Sequence, residues 1–230
     1  MIQTVSIDAQ GGEMDVLLGV PEGAGPFPTI VVAHHRWGLD PFTRSVVERL
    51  NANGFVAGAP NLYHRRPSGE DTAESIKFLE DEEIIADLKS ATAFLQSQKL
   101  AKRGAEVVMG HCMGGRVAFL GAATHPYKAA VMLYGGSINI PRSPGKPVAL
   151  TRAAGIACPL LGFFGKDDKN PSPADMAAID AELTRLGKKH EFHAYDGAGH
   201  AFQNFRDERY REAASEDAWR RYLGFFRETL

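Results

Sequence analysis

Short apolar runs alternate with amphipathic stretches along most of this chain. The runs, which are rich in branched side chains and bounded by turn residues, are Thr29 to Ala33, Phe55 to Ala59, Glu106 to Met109, Ala129 to Tyr134 and Leu160 to Phe164. Continuous apolar runs of this length are typical of strands that are buried on both faces of a parallel sheet. We therefore predict a parallel sheet from Thr29 onward, with a further strand from His190 to Tyr195.

The chain before Thr29 has a different pattern. Thr4 to Ile7 and Met14 to Val20 are short, partly alternating segments on either side of Gly11-Gly12. This arrangement predicts an antiparallel hairpin. The segment from Pro21 to Pro28 is rich in glycine and proline, which predicts a loop.

Segments with helical spacing separate the predicted strands. Their apolar faces, each with residues three or four apart, are Phe42/Val46/Leu50, Ile84/Leu88/Ala91/Leu95, Met176/Ile179/Leu183/Leu186 and Trp219/Tyr222/Leu223/Phe226. Gly54 and Gly187 follow the first and third faces, where glycine commonly ends a helix. Strand and helix alternate without an internal repeat or a linker. We therefore expect one domain over residues 1–230, a doubly wound, mostly parallel sheet with an antiparallel N-terminal hairpin, in a three-layer α/β/α architecture.

Composition narrows the possible functions. The 230 residues carry a formal charge of -2, with 44% hydrophobic and 23% charged residues, the balance of an ordinary soluble globular protein. The chain has no basic stripe of the kind that binds nucleic acid, so we expect no nucleic-acid partner. No apolar run approaches the ~18 residues that span a bilayer. The two cysteines argue against a disulfide scaffold or a multi-cysteine zinc site, and reduced thiols suit the cytoplasm.

The most specific motif lies around Cys112. Val107 to Met109 are strand-like, Gly110-x-Cys112-x-Gly114 forms a turn, and a small-residue helix follows. This is the pattern of a nucleophile elbow with cysteine in place of serine. A thiolate at that helix N-terminus would have a lowered pKa, and the backbone N–H of Met113 could donate to an oxyanion.

A nucleophile of this kind needs a base and a group that orients the base. In α/β-hydrolases the acid and the histidine follow the nucleophile in that order. Asp168 lies in a polar loop 56 residues after Cys112, with Asp167 as a close competitor, and His200 follows 32 residues later in a glycine-rich loop. The sequence therefore predicts a Cys112, Asp168 and His200 triad.

The loop after the first parallel strand is the expected source of a second oxyanion donor. We assign this role to the backbone N–H of Arg36, because Gly38 permits a tight path there. His34 and His35 are adjacent on a strand and so point to opposite faces, and no His-Glu-x-x-His motif is present. We therefore predict no metal site.

These motifs resemble those of the dienelactone hydrolase family over nearly the whole chain. The matching segments are Gly110 to Gly115, Gly165-x-x-Asp168 followed by Pro171, and Gly199 to Phe202, supported by Pro60 to Tyr63 and Tyr134 to Gly136. The resemblance implies an α/β-hydrolase fold. It also implies hydrolysis of a small-molecule ester or lactone through an acyl-enzyme on the triad, with no cofactor.

The resemblance also implies substrate-binding positions. Arg65 could reach a substrate carboxylate. His35 occupies the place of the family's usual oxyanion-loop glutamate, and Asn204 that of a second arginine. Trp37, Tyr63, Phe164 and Phe202 are candidates for pocket walls, with core packing as the alternative. We expect a monomer or a homodimer.

Two alternatives remain open from the residues. The same triad could act on a thioester or an organophosphate ester, because a thiolate beside an oxyanion hole does not by itself determine which acyl group is attacked. Cys112 could instead be a reactive thiol in a redox or binding protein without turnover. Cys158, before Pro159, is expected to be an inert packing residue, and His111 to pack beneath the elbow.

Overall fold

The computed structural model describes residues 2–66 and 72–230. The described strands are β1 (Ile2–Ala9), β2 (Gly12–Gly19), β3 (Phe27–Ala33), β4 (Val56–Pro60), β5 (Ala101–His111), β6 (Ala129–Leu133), β7 (Leu160–Gly165) and β8 (His190–Tyr195). The described α-helices are α1 (Pro41–Ala52), α2 (Thr72–Ser75), α3 (Asp81–Gln96), α4 (Met113–Thr124), α5 (Pro173–Arg185) and α6 (Glu212–Thr229). Short 3₁₀ helices cover Ile76–Phe78 and Ala149–Gly155.

The chain forms two compact units, Met1–Val108 and Met109–Leu230, and β5 runs from the first into the second. The strand order in the first unit is β1-β2-β4-β3-β5, and in the second it is β5-β6-β7-β8. Both orders belong to one sheet, which has eight strands over the described residues. The expectation of a single domain stays a prediction.

The N-terminal hairpin is confirmed and is longer than the sequence pattern indicated. β1 pairs antiparallel with β2 from Ile2 opposite Gly19 to Ala9 opposite Gly12. β2 then pairs antiparallel with β4, and β4 pairs parallel with β3. The predicted loop from Pro21 to Pro28 ends early, because the N–H of Phe27 bonds to Leu100 O at 2.7 Å and begins β3.

Local signals in the sequence set the ends of α1 and α5. The side chain of Asp40 accepts from the N–H of Thr43 and caps α1, which begins at Pro41. Ser172 and Asp175 form a capping box at the start of α5. Such caps satisfy backbone N–H groups that have no partner within the helix. Gly54, with a φ of 86°, follows α1 as predicted.

The second unit contains the parallel strands that lead into the predicted catalytic residues. β6 pairs parallel with β7, and β7 pairs parallel with β8. Every residue of β6 and β7 is buried, as their continuous apolar runs predicted. The aromatic face of α6 is buried as well, including Tyr222 and Phe226. The α/β class with a mostly parallel sheet is thus confirmed.

No described helix is both long and apolar enough to cross a membrane.

Candidate active site

Cys112 stands at a sharp turn between β5 and α4. Its backbone is left-handed, with a φ of 58° and a ψ of -120°, and it is the N-cap residue of α4. A Cβ at Gly110 would lie 2.1 Å from the carbonyl oxygen of Gly114, so no larger residue fits there without displacing the turn. The elbow predicted from the Gly-x-Cys-x-Gly spacing is therefore present, and the backbone strain lies at Cys112 itself.

The start of α4 lies against the end of β6. The N–H of Cys112 donates to Leu133 O at 3.0 Å. A Cβ at Gly115 would lie 2.8 Å from Gly135 Cα, and one at Gly135 would lie 2.8 Å from the carbonyl carbon of Gly115. These two glycines allow the backbones to touch, which fixes the thiol at the carboxyl end of the sheet.

Asp168 follows the end of β7 in a tight turn. Its N–H bonds to Gly165 O, and its Oδ1 accepts from the N–H of Asn170 at 2.9 Å. Its other carboxylate oxygen, Oδ2, accepts from Nδ1–H of His200 at 2.8 Å. Asp167 is exposed, and its N–H bonds to Ala198 O. The structure therefore brings Asp168 and not Asp167 to the histidine.

His200 lies between a carboxylate and a thiol. It contacts Asp168 through Nδ1, and its side chain also hydrogen-bonds with Cys112. Burial lowers the pKa of His200, but the hydrogen bonds to Asp168 and Cys112 outweigh burial and raise this pKa to about 10. An imidazole with a pKa raised in this way carries a proton at neutral pH.

Two charged residues near the predicted triad were not predicted from the sequence. Asp207 and Arg209 form an ion pair, with Arg209 Nη2 2.6 Å from Asp207 Oδ2. The Arg209 guanidinium holds the pKa of Asp207 below its usual range, and the charge of His200 adds to this effect. No motif marked the pair, because its proximity to His200 arises from the path of the loop after the histidine.

His111 packs beneath the elbow, as expected. Its Nε2 lies 2.9 Å from Oε1 of Gln203, and the Gln203 amide donates to Ser215 O at 3.1 Å. His111 is buried, and its ring centroid is 6.0 Å from that of Tyr134. This buried network connects the residue before Cys112 to α6.

In the first unit, the loop after β3 makes the tight turn that the sequence predicted. Gly38 has a φ of 74°, and its N–H donates to His35 O at 3.1 Å. The Arg36 guanidinium lies over the ring of Trp37, 5.1 Å from its centroid, and Trp37 is 49% exposed. Nε2 of His35 lies 2.8 Å from Oδ1 of Asp40, within ion-pair distance.

His34 is a buried structural residue. Its Nδ1–H donates to His35 O at 2.7 Å, and its Nε2 accepts from the N–H of Leu62 at 3.1 Å. Burial lowers the pKa of His34 to about 4, so the ring is neutral. Over residues 2–66 and 72–230, no group of three or more His, Cys, Asp or Glu side chains could hold a metal ion.

Arg65, a predicted binder of a substrate carboxylate, already contacts a carboxylate of the chain. Its Nη1 and Nη2 each lie 2.7 Å from the side chain of Asp87 on α3. Nη2 also donates to Gln10 O in the β1–β2 turn. Asp87 is fully buried, and Nε2 of His64 lies 3.2 Å from it. A substrate would have to compete with this ion pair, which counts against the predicted role.

The other candidate wall residues are mostly in the core. Phe202 and Phe164 are buried, and the Phe202 ring contacts Tyr134 at a centroid distance of 5.3 Å. Tyr63 is also buried, and its hydroxyl donates to Arg36 O at 3.0 Å. Asn204 is buried, and its Oδ1 accepts from the N–H of Arg206. These positions favour packing over direct substrate contact.

Comparisons with known proteins agree with this fold. The model of the dienelactone hydrolase family matches residues 14–230. A Synechocystis protein named "Putative carboxymethylenebutenolidase" is 31% identical over 240 residues, which cover 98% of this chain and 96% of that protein. A protein of the same name from Methylorubrum extorquens is 31% identical over 97% of this chain and 80% of its own length.

Solved structures also agree with this fold. The crystal structure of a "Putative Dienelactone Hydrolase" from Klebsiella pneumoniae superposes with a TM-score of 0.90 at 27% identity and covers 98% of each chain. A dienelactone hydrolase-like promiscuous phosphotriesterase from metagenomic libraries has a TM-score of 0.84 at 20% identity, over 100% of this chain and 98% of the other. At that identity the second likeness concerns the fold alone.

Proposed function

The chain belongs to the dienelactone hydrolase family, whose members hydrolyse lactones and esters, and we propose that it does so through a covalent acyl-enzyme on Cys112. The observation that supports this mechanism is the hydrogen-bonded series from Asp168 through His200 to Cys112, with Cys112 on a strained elbow. A thiol in this setting is an activated nucleophile, a base lies beside it, and a carboxylate orients the base.

The first step is attack on the substrate carbonyl. Because His200 holds the proton at neutral pH, Cys112 attacks as a thiolate and forms a carbon–sulfur bond. The negative charge that develops on the carbonyl oxygen lies near the backbone N–H of Met113, the first residue of α4, at the positive end of the helix dipole. The N–H of Arg36 is the second donor that we propose.

The second step regenerates the enzyme. His200 gives its proton to the leaving alkoxide, whose bond to the carbonyl carbon breaks and leaves a thioester on Cys112. The neutral imidazole then takes a proton from water, which attacks the thioester carbon. The carbon–sulfur bond breaks, the acid is released, and Cys112 is again a thiolate beside the protonated His200. Asp168 holds Nδ1–H of His200 throughout, so that the other ring nitrogen faces the thiol.

The substrate class that we propose is a small carboxylic ester or lactone. Recognition of a substrate carboxylate by Arg65 stays a prediction, as do the contacts of His35, Trp37, Tyr63, Phe202 and Asn204. A cytoplasmic location and a monomeric or homodimeric state are also predictions. The location is supported by the two cysteines, which are not joined in a disulfide.

The test is steady-state hydrolysis of p-nitrophenyl acetate and of a carboxymethylenebutenolide by purified variants. Cys112→Ala should abolish turnover, and Asp168→Asn should lower kcat by about 100-fold or more, because the base loses its orientation. Cys158→Ala and Asp167→Asn are the matched controls, since Cys158 is buried before the start of β7, whereas Asp168 follows the other end of that strand, and Asp167 is exposed. Full activity in Cys112→Ala would refute the mechanism.

A thioester and a phosphotriester in the same panel separate the alternative substrates. Higher kcat/KM on either than on the ester and the lactone would change the proposed substrate class and leave the triad in place. No turnover on any of these substrates, together with a reactivity of Cys112 that does not depend on His200, would favour a reactive thiol in a redox or binding protein.

A further inference from the structure

Tyr134 has a strained backbone at the end of β6. Its φ is 40°, in the left-handed region that large side chains rarely adopt. Its N–H donates to Phe163 O at 2.7 Å, and the next residue, Gly135, touches Gly115 at the start of α4. The close approach that holds the elbow therefore also fixes the direction of the Tyr134 side chain.

The ring of Tyr134 lies against the proposed catalytic histidine. Its centroid is 5.2 Å from that of His200, with the two planes at 65°. Phe202 lies at 5.3 Å and His111 at 6.0 Å from the same ring. Tyr134 is only 1% exposed, so these neighbours leave it little freedom to turn. The imidazole thus has a fixed aromatic wall beside it.

The hydroxyl of Tyr134 does not explain this placement. Within the described part of the chain it is buried without a hydrogen-bond partner. Burial raises the pKa of Tyr134 well above its usual value, and the negative charges of Cys112, Asp207 and Asp168 raise it further, so the group stays neutral. A buried hydroxyl without a partner is less favourable than the hydrogen of phenylalanine. The ring, and not the hydroxyl, makes the contacts that matter.

We propose that Tyr134 is a positioning residue whose ring holds the imidazole of His200 between Asp168 and Cys112. The inference rests on the proposed function. The second side-chain torsion of histidine is soft, and a rotated ring would lose one of its two hydrogen bonds. A rigid aromatic ring against the imidazole opposes this rotation while α4 and β6 hold the thiol in place.

Several charged groups act on His200 and contribute to the pH dependence of the site. Cys112 and Asp168 hydrogen-bond with it, and the negative charge of Asp207 acts on it. Arg209 pairs with Asp207 and acts on Asp168 from the same loop. All of these groups are kept in Tyr134 variants, so a change in the profile reports the position of the imidazole.

The experiment compares Tyr134→Phe, which keeps the ring, with Tyr134→Leu and Tyr134→Met, which remove it. Two readouts are measured: kcat and KM for p-nitrophenyl acetate, and the pH dependence of Cys112 alkylation by iodoacetamide, followed by intact mass in a Cys158→Ala background. Tyr134→Phe should keep kcat within about threefold of the parent and the same alkylation profile. The Leu and Met variants should lose ~10- to 100-fold in kcat with little change in KM. Their alkylation profile should move towards that of an ordinary thiol, which reacts only at higher pH.

Thermal melts identify which variants are folded. The Met variant, whose unbranched side chain adapts to irregular gaps in a core, serves where the Leu variant does not fold. A folded Leu or Met variant with the parent kcat and alkylation profile would overturn the proposal. A Phe variant as impaired as the Leu variant would also overturn it, because the hydroxyl would then be required. If the parent does not turn over esters but its alkylation profile depends on the ring, the positioning role stands and the proposed function fails.

Discussion

Gly110→Ala tests whether the elbow geometry is as tight as the structure shows. A Cβ at this position would lie 2.1 Å from the oxygen and 2.3 Å from the carbonyl carbon of Gly114. Real Cβ contacts essentially never fall below 3.0 Å, so the two segments would have to separate by about 0.9 Å. Both atoms belong to the backbone at the start of α4, where no flexible side chain can move aside.

The expected cost follows from this overlap. Overpacking a rigid site costs typically 1–3 kcal/mol, and we expect about 3 kcal/mol because the contact is with backbone. For a chain of this length that lowers Tm by roughly 6–12 °C. A displacement of nearly 1 Å at Cys112 should also lower kcat by ~100-fold.

The assays are urea and thermal unfolding together with ester hydrolysis. Gly224→Ala on α6 is the matched control, because a Cβ there would meet no atom within 4 Å. It should leave activity unchanged and raise the free energy of unfolding by up to ~1 kcal/mol, since alanine is the better helix former. A Gly110→Ala protein with the parent's stability and activity would refute the described elbow.

Two further predictions concern buried titratable groups in the first unit. Because the pKa of His34 is lowered to about 4, the folded state keeps the ring neutral while the unfolded chain binds a proton below about pH 6.5. The free energy of unfolding measured in urea should therefore fall by about 3 kcal/mol from pH 6.5 to pH 4. His34→Gln should remove this decrease. The same dependence of the free energy of unfolding on pH in both proteins would contradict the prediction. Asp87→Asn leaves Arg65 without its buried counter-charge and should cost about 3 kcal/mol in urea unfolding. The surface ion-pair variant Asp217→Asn should cost less than about 1 kcal/mol, and equal losses in the two variants would contradict the reasoning.

Features set by local spacing could be predicted from the sequence. The elbow depends on glycines two residues before and after Cys112, and the buried strands are continuous apolar runs. The helix ends at Gly54 and Gly187 follow from their left-handed backbones. In each case the residues that cause the structure are neighbours in the chain, so their pattern can be recognised in the sequence.

Features that depend on distant contacts could not be predicted. Asp167 and Asp168 are adjacent and chemically alike, and only the turn after β7 decides which one contacts His200. No sequence pattern distinguishes Asp87 from other acidic residues on helices, yet its carboxylate forms an ion pair with Arg65. The strain at Tyr134 arises because α4 approaches the next residue, a contact that no local motif encodes.

Covalent catalysis at Cys112 can be observed in a single-turnover experiment. The protein is mixed with p-nitrophenyl acetate in a stopped-flow instrument, quenched on the millisecond scale and weighed by intact mass spectrometry, with peptide mapping of any adduct. We predict a burst of p-nitrophenol and an acetyl group on Cys112 in the parent and in Cys158→Ala, and neither in Cys112→Ala. An adduct on another residue, or the same burst in Cys112→Ala, would contradict the account.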